Sequence, residues 1–274
     1  MAYADEKTML LENRIRQKFD NLARRGEKGL ITFVTAGDPD LETTVRLVLE
    51  MEKAGADIVE LGVPYSDPLA DGPVIQKASL RALKNGTALK GIFGAVREVR
   101  KQSNIPLILM TYYNPVLRYG LAAFAAEAST VGVDGVIVPD LPVEEAAPLE
   151  RELTAQGLYL IPLVAPTSGA ERIKRITAGD RGFVYCVSLT GVTGIRQGVP
   201  PGLEDFLDCV RRNTANPLAV GFGVSHPEQA REIAKHCDAV IVGSALVKTI
   251  EEYQNSPDLL VHVKNFVHSL KEAI

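Results

Sequence analysis

Glu60 interrupts the apolar run Ile58-Val59-Glu60-Leu61, where an ionised carboxylate costs several kcal/mol unless it is paired. Burial at such a position raises the pKa of a carboxyl group and suits it to proton shuttling near neutral pH. Asp71 follows on a loop stiffened by Pro64, Pro68 and Pro73. Each residue also has a plainer reading. Glu60 reads as a structural ion pair with an Arg or Lys, and Asp71, before Gly72, reads as a turn residue. Tyr185, in a β-branched run, reads as an active-site phenol or as core with a bonded hydroxyl.

The elements that must position these groups recur along the chain. Short β-branched runs cover 30–35, 57–62, 106–111, 135–138, 158–164, 182–187, 217–220 and 239–242, each followed by a helical stretch. Glu42 to Ala54 and Glu144 to Gln156 are examples of these helices, and Ser225-His226-Pro227-Glu228 has the form of a capping box. Strands apolar on both faces that alternate with helices predict a parallel sheet. Eight such units predict a (β/α)8 barrel, an α/β fold, in a single domain spanning 1–274. Within it, 1–28 holds an N-terminal helix (Thr8 to Arg25) over the barrel's bottom, 29–250 the barrel and 251–274 a C-terminal helix. A doubly wound sheet is the competing architecture, but no G-x-G-x-x-G follows an early strand.

Thr35, Glu60, Asn114, Asp140, Ser188, Gly223 and Ser244 all fall at or just after the C-terminal ends of these strands, the end at which barrel enzymes keep their chemistry. Glycines cluster at three neighbouring mouths: Gly191-Val192-Thr193-Gly194, Gly221-Phe222-Gly223 and Gly243-Ser244-Ala245. One alone is a turn glycine. Three together, with a short helix opening at Gly243-Ser244 (Ala245 to Thr249), predict a phosphate grip in which Gly194, Gly223, Gly243 and Ser244 face the anion. Phe33, Leu109, Ile161 and Phe222 read equally as apolar walls for a flat ring and as ordinary core.

The remaining chemistry narrows by exclusion. No strand carries a lysine for a Schiff base, and the histidines (His226, His236, His262, His268) have no ligand-like spacing, so no metal site is expected. Proton transfer on a substrate that holds its own electron sink remains, without a cofactor. Net charge is −4, with no basic stripe for nucleic acid. No apolar run approaches the ~20 residues that cross a bilayer. The first residues lack a signal-peptide pattern, and Cys186, Cys209 and Cys237 read as reduced thiols, so the cytoplasm is the expected compartment.

At this point the stretch Glu60-Leu61-Gly62-Val63-Pro64-Tyr65-Ser66-Asp67-Pro68-Leu69-Ala70-Asp71-Gly72-Pro73 closely resembles the signature of the tryptophan synthase α subunits. Asn114-Pro115, Asp140-Leu141-Pro142 and the three glycine clusters extend the likeness over roughly Ile31 to Lys248. The resemblance implies retro-aldol cleavage of indole-3-glycerol phosphate to indole and glyceraldehyde 3-phosphate, with indole passed to a β subunit in an α2β2 complex. It carries catalytic roles onto Glu60 and Asp71, and an active-site place onto Tyr185. Thr193 is expected to reach Asp71 by a hydroxyl–carboxylate bond. Alternatives left open are a stand-alone indole-releasing lyase, another phosphosugar barrel isomerase, and a non-catalytic barrel that only binds a partner.

Overall fold

Among the described residues, nine short strands, rich in Val, Ile and Leu, run parallel to one another: β1 Gly29–Thr35, β2 Ile58–Gly62, β3 Leu107–Met110, β4 Gly135–Ile137, β5 Tyr159–Leu160, β6 Leu163–Val164, β7 Val184–Val187, β8 Leu218–Gly221 and β9 Ala239–Val242. This computed structural model describes residue 10 and residues 12–187, 201–221 and 223–274. The strand order is β5-β4-β3-β2-β1-β9-β8-β7-β6. Its two ends, β5 and β6, are halves of one run parted by Ile161-Pro162. The Ile161 N–H donates to the Val136 carbonyl on one side, and the Pro162 carbonyl accepts from Tyr185 N–H on the other, both at 2.9 Å. Proline has no N–H to continue a ladder, so the run changes partner there. The run thereby links β4 to β7 and closes an eight-fold barrel. The expected fifth strand, 158–164, is present as these two pieces.

The helices are α1 Arg14–Arg25, α2 Leu41–Lys53, α3 Pro73–Lys84, α4 Leu89–Arg100, α5 Tyr113–Tyr119 and α6 Leu121–Val131. They continue with α7 Ala147–Thr154, α8 Ala170–Ile176, α9 Leu203–Asn213, α10 Pro227–Ala234, α11 Ser244–Tyr253 and α12 Leu259–Lys271. Three differ from the sequence expectation. The helix expected over 144–156 covers only Ala147–Thr154. The expected capping box fails, because Pro227 takes the first helical position and makes His226 the N-cap, which leaves Ser225 one residue too early. The helix after β9 is ten residues long, not a single short turn.

Alternation along the strands separates two cores. Ile31, Ile58, Ile108, Ile137, Phe183, Ala219, Ala239 and Ile241 point into the barrel, where Ile15 and Phe19 of α1 join them from below. Phe19 meets Phe183 with ring centroids 5.5 Å apart. Asn13 caps α1 by accepting from Ile15 N–H, and Arg14 reaches Asp134 at 3.0 Å. The bottom is thus plugged by apolar packing and pinned by ion pairs, which leaves the C-terminal ends of the strands as the open end.

Candidate active site

Glu60 points inward from the middle of β2, in register with Phe33 of β1 on one side and Ile108 of β3 on the other. It is wholly buried, and among the described residues neither carboxylate oxygen has a hydrogen-bond partner. The ion-pair reading therefore finds no support. Burial without a compensating charge pushes its pKa up to about 8, so the acid is mostly protonated at neutral pH. Gly62, two residues on, is small by necessity: a Cβ there would stand 2.5 Å from the Phe33 ring.

Asp71 sits just before α3, and its backbone is tied to that helix by Gln76, whose side-chain amide donates to the Asp71 carbonyl at 2.9 Å. Partial burial raises its pKa to about 6, and a hydrogen bond from the Tyr112 hydroxyl works in the opposite direction. Near pH 7 it is therefore largely ionised, though less strongly than an exposed aspartate. Two carboxyl groups in one mouth therefore hold different protonation states at one pH.

Tyr185 of β7 lies within electrostatic reach of both. Its phenol is held well above its ordinary pKa by burial first, then by the charges of Glu60 and Asp71, and so stays a neutral donor. Gly221 on the adjacent strand gives the ring its space, since a Cβ there would come within 2.6 Å of the Tyr185 hydroxyl.

A cavity of about 880 Å³ opens over these groups. Phe33, Asp71, Ile161, Tyr185, Gly223, Gly243 and Ser244 are on its wall. Glu60 is not on the wall but beneath it, fully covered. Gly223 has φ +66°, a left-handed backbone that favours glycine, and open space where a side chain would stand. Gly243 caps α11, and Ser244 opens that ten-residue helix with its N-terminus toward the cavity wall. An anion is favoured at such an end.

Leu109 requires a correction. It is buried in the outer cluster with Phe93 and Phe124, between strand and helices, and cannot line the pocket. Its neighbour Met110 has the inward parity and is on the wall instead. Period-2 patterning could not separate them, because Leu107-Ile108-Leu109-Met110 is apolar on both faces. Thr193, Gly194 and Phe222 lie outside the described residues. The wall also carries Ile75, Asp140 and Ile241, which the sequence reading did not assign to it. Tyr112 was not singled out either. The signal was present: Ile108, Met110 and Tyr112 share one parity running off the end of β3.

Comparison with known proteins gives a consistent answer. The sequence model of the family "Tryptophan synthase alpha chain" matches residues 19–274. A tryptophan synthase alpha chain of Thermoanaerobacter sp. (strain X514) is 52% identical over 262 residues, covering 96% of this chain and 100% of that one. The crystal structure of tryptophan synthase subunit alpha from Legionella pneumophila superposes with TM-score 0.89 at 40% identity, covering 96% of this chain and 98% of that one. A structure of the tryptophan synthase α2β2 complex from Pyrococcus furiosus matches with TM-score 0.81 at 42% identity, over 88% of this chain and 97% of that one.

Proposed function

Because the chain belongs to the tryptophan synthase alpha chain family, a family of lyases, we propose that it cleaves indole-3-glycerol phosphate by a retro-aldol step run by Glu60 and Asp71. The observation that carries this reading is the pair of carboxyl groups with pKa values near 8 and near 6 in one barrel mouth.

Protonated Glu60 delivers its proton to C3 of the indole ring, giving an indolenine cation with positive charge on nitrogen. Ionised Asp71 accepts a hydrogen bond from that N–H and stabilises the charge. The Glu60 carboxylate then takes the proton of the glycerol hydroxyl next to C3. The oxygen forms the aldehyde, the carbon–carbon bond breaks, and its electron pair returns to the ring. Indole and glyceraldehyde 3-phosphate leave, and Glu60 is again protonated. The ring nitrogen serves as the electron sink, so the step calls for no lysine, metal or cofactor. Reaching C3 requires Glu60 to swing toward the cavity or the wall above it to shift, since its carboxyl is covered in this conformation.

The neutral Tyr185 phenol can donate to the substrate hydroxyl region or to Glu60 once it is ionised. Phe33, Ile161 and Met110 would flank the ring, with Phe222 as a further wall. Gly194, Gly223, Gly243 and Ser244 would hold the phosphate, and Thr193 would bond Asp71. The partner is a β subunit, as in the α2β2 complex of the Pyrococcus furiosus relative, docked in our reading at the barrel mouth, and the compartment is the cytoplasm. No described helix is long and apolar enough to cross a membrane.

Incubating the purified chain with indole-3-glycerol phosphate, alone and with a purified tryptophan synthase β subunit, tests this reading. Slow indole release that the partner accelerates is expected. No indole in either arm would overturn it.

A further inference from the structure

Past Val63, which is buried in the core, the loop joining β2 to α3, residues 63–72, has little apolar anchorage of its own: Leu69 at its crest is 95% exposed. Its internal bonds, Asp71 N–H to the Pro68 carbonyl and the Ser66 hydroxyl to Asp67, move with it and fix nothing to the barrel. The ends of the loop are tied by Val63 N–H to the Met110 carbonyl at 2.8 Å and by Gln76 to the Asp71 carbonyl, and between them two contacts end on Tyr112, just past β3. The Tyr112 ring stacks on Tyr65 near the start of the loop, with centroids 5.0 Å apart and planes at 26°. At the end of the loop its hydroxyl accepts the Ala70 N–H at 2.9 Å and stands near enough to Asp71 to favour its ionised form. A phenol has one proton to donate, and this arrangement leaves it for the carboxylate.

Tyr112 is itself well held. It is 6% exposed and is the N-cap residue of α5. The next residue, Tyr113, donates its N–H to Asp140 Oδ1 at 2.9 Å. Asn114 reaches the Tyr65 hydroxyl at 3.4 Å, closing the stack from the other side.

We propose that Tyr112 is the positioning residue of the β2–α3 loop: its ring seats Tyr65, and its hydroxyl fixes Ala70 and aims the Asp71 carboxylate across the mouth of the cavity. The proposal rests on the reading of Asp71 as the partner of the indole nitrogen. It adds that the acid is oriented from the β3 side of the mouth. Asp140 is the other charge that bears on Tyr112, and Tyr185 is the other titratable group coupled to Asp71.

Tyr112→Phe keeps the stacked ring and removes only the hydroxyl. In the complex with the β subunit, the variant is expected to keep its melting temperature and its KM. Its kcat should fall about ten- to a hundredfold, the range for a misaimed catalytic group. The acid limb of its kcat–pH profile should move to higher pH, because a bond favouring the ionised carboxylate is lost. Amide exchange over residues 66–71 should quicken. Unchanged kcat, acid limb and exchange would overturn the proposal. Asp71→Asn, measured beside it, separates the two claims. If that variant is inactive while Tyr112→Phe behaves as wild type, the positioning role fails and the reading of Asp71 stands. If it cleaves at the wild-type rate, the reading of Asp71 fails, and with it the catalytic half of the proposal.

Discussion

Glu60 bears a cost that the barrel interior imposes and does not relieve. Its carboxyl is raised from 4.5 to about 8 by burial, so between those values the folded chain keeps a proton that the unfolded chain has released. Stability contributed at this position therefore falls as pH rises from about 4.5 to about 8, and is level above. Glu60→Gln removes the titration while keeping size and shape. The variant's melting temperature is expected to exceed that of wild type by a margin that widens through this window and then stays constant. A scanning series in buffers from pH 5 to pH 9 checks it; a margin independent of pH would show that Glu60 is not buried as an acid. This residue was legible in the sequence because a lone carboxylate in a β-branched run has few other meanings. Asp71 was legible only through the long motif. Tyr112 was missed because its partners, Ala70 and Asp71, lie some forty residues away in the chain, and strand parity turns the phenol inward without naming what it meets.

Among the elements, α11 carries the proposed phosphate site. A Cβ at its N-cap, Gly243, would stand 3.5 Å from the Phe33 ring, so the proposed phosphate lip and ring wall meet there. Ser244→Asp separates binding from folding at this helix. An acid in the first turn favours the helix by about 0.3–1 kcal/mol, yet it repels a phosphate docked there. Titration calorimetry is expected to show glyceraldehyde 3-phosphate binding weakened by about tenfold or more, indole binding unchanged and no loss of melting temperature. Equal losses for both ligands would mean that the substitution distorts the mouth as a whole. The strand and helix order of the barrel was readable from period and turn residues. Which face of each strand turns inward was not: parallel strands are buried on both sides, and Leu109 and Met110 look alike until the register of β3 against β2 is known. The break at Pro162 and the failed capping box at Ser225 share a cause, a proline whose exact neighbours in space decide where the element stops or starts.

At the scale of the whole molecule, the barrel divides its labour between two ends. Below, α1 closes the interior with Ile15 and Phe19, and Asp134 joins Arg14 and Arg100 at 3.0 and 2.9 Å. Above, Glu60 in β2, Asp71 just before α3 and Tyr185 in β7 gather near the open end, each with its pKa raised by burial. The packed lower half keeps Glu60 dry, and the open upper half lets Asp71 remain an anion. From that division follows the central claim, that a protonated Glu60 and an ionised Asp71 act together in one cleavage. The measurement that tests it most directly is single-turnover indole release from indole-3-glycerol phosphate across pH 5 to 9, for the wild-type chain and for Glu60→Gln, each with the β subunit. The wild-type rate should rise through about pH 6 as Asp71 ionises and fall through about pH 8 as Glu60 loses its proton. Glu60→Gln should be slower by about 10²–10⁴-fold, the usual worth of a general acid–base group. A wild-type rate that does not change across this range, or a Glu60→Gln rate within about tenfold of wild type, far less than that usual worth, would contradict the account.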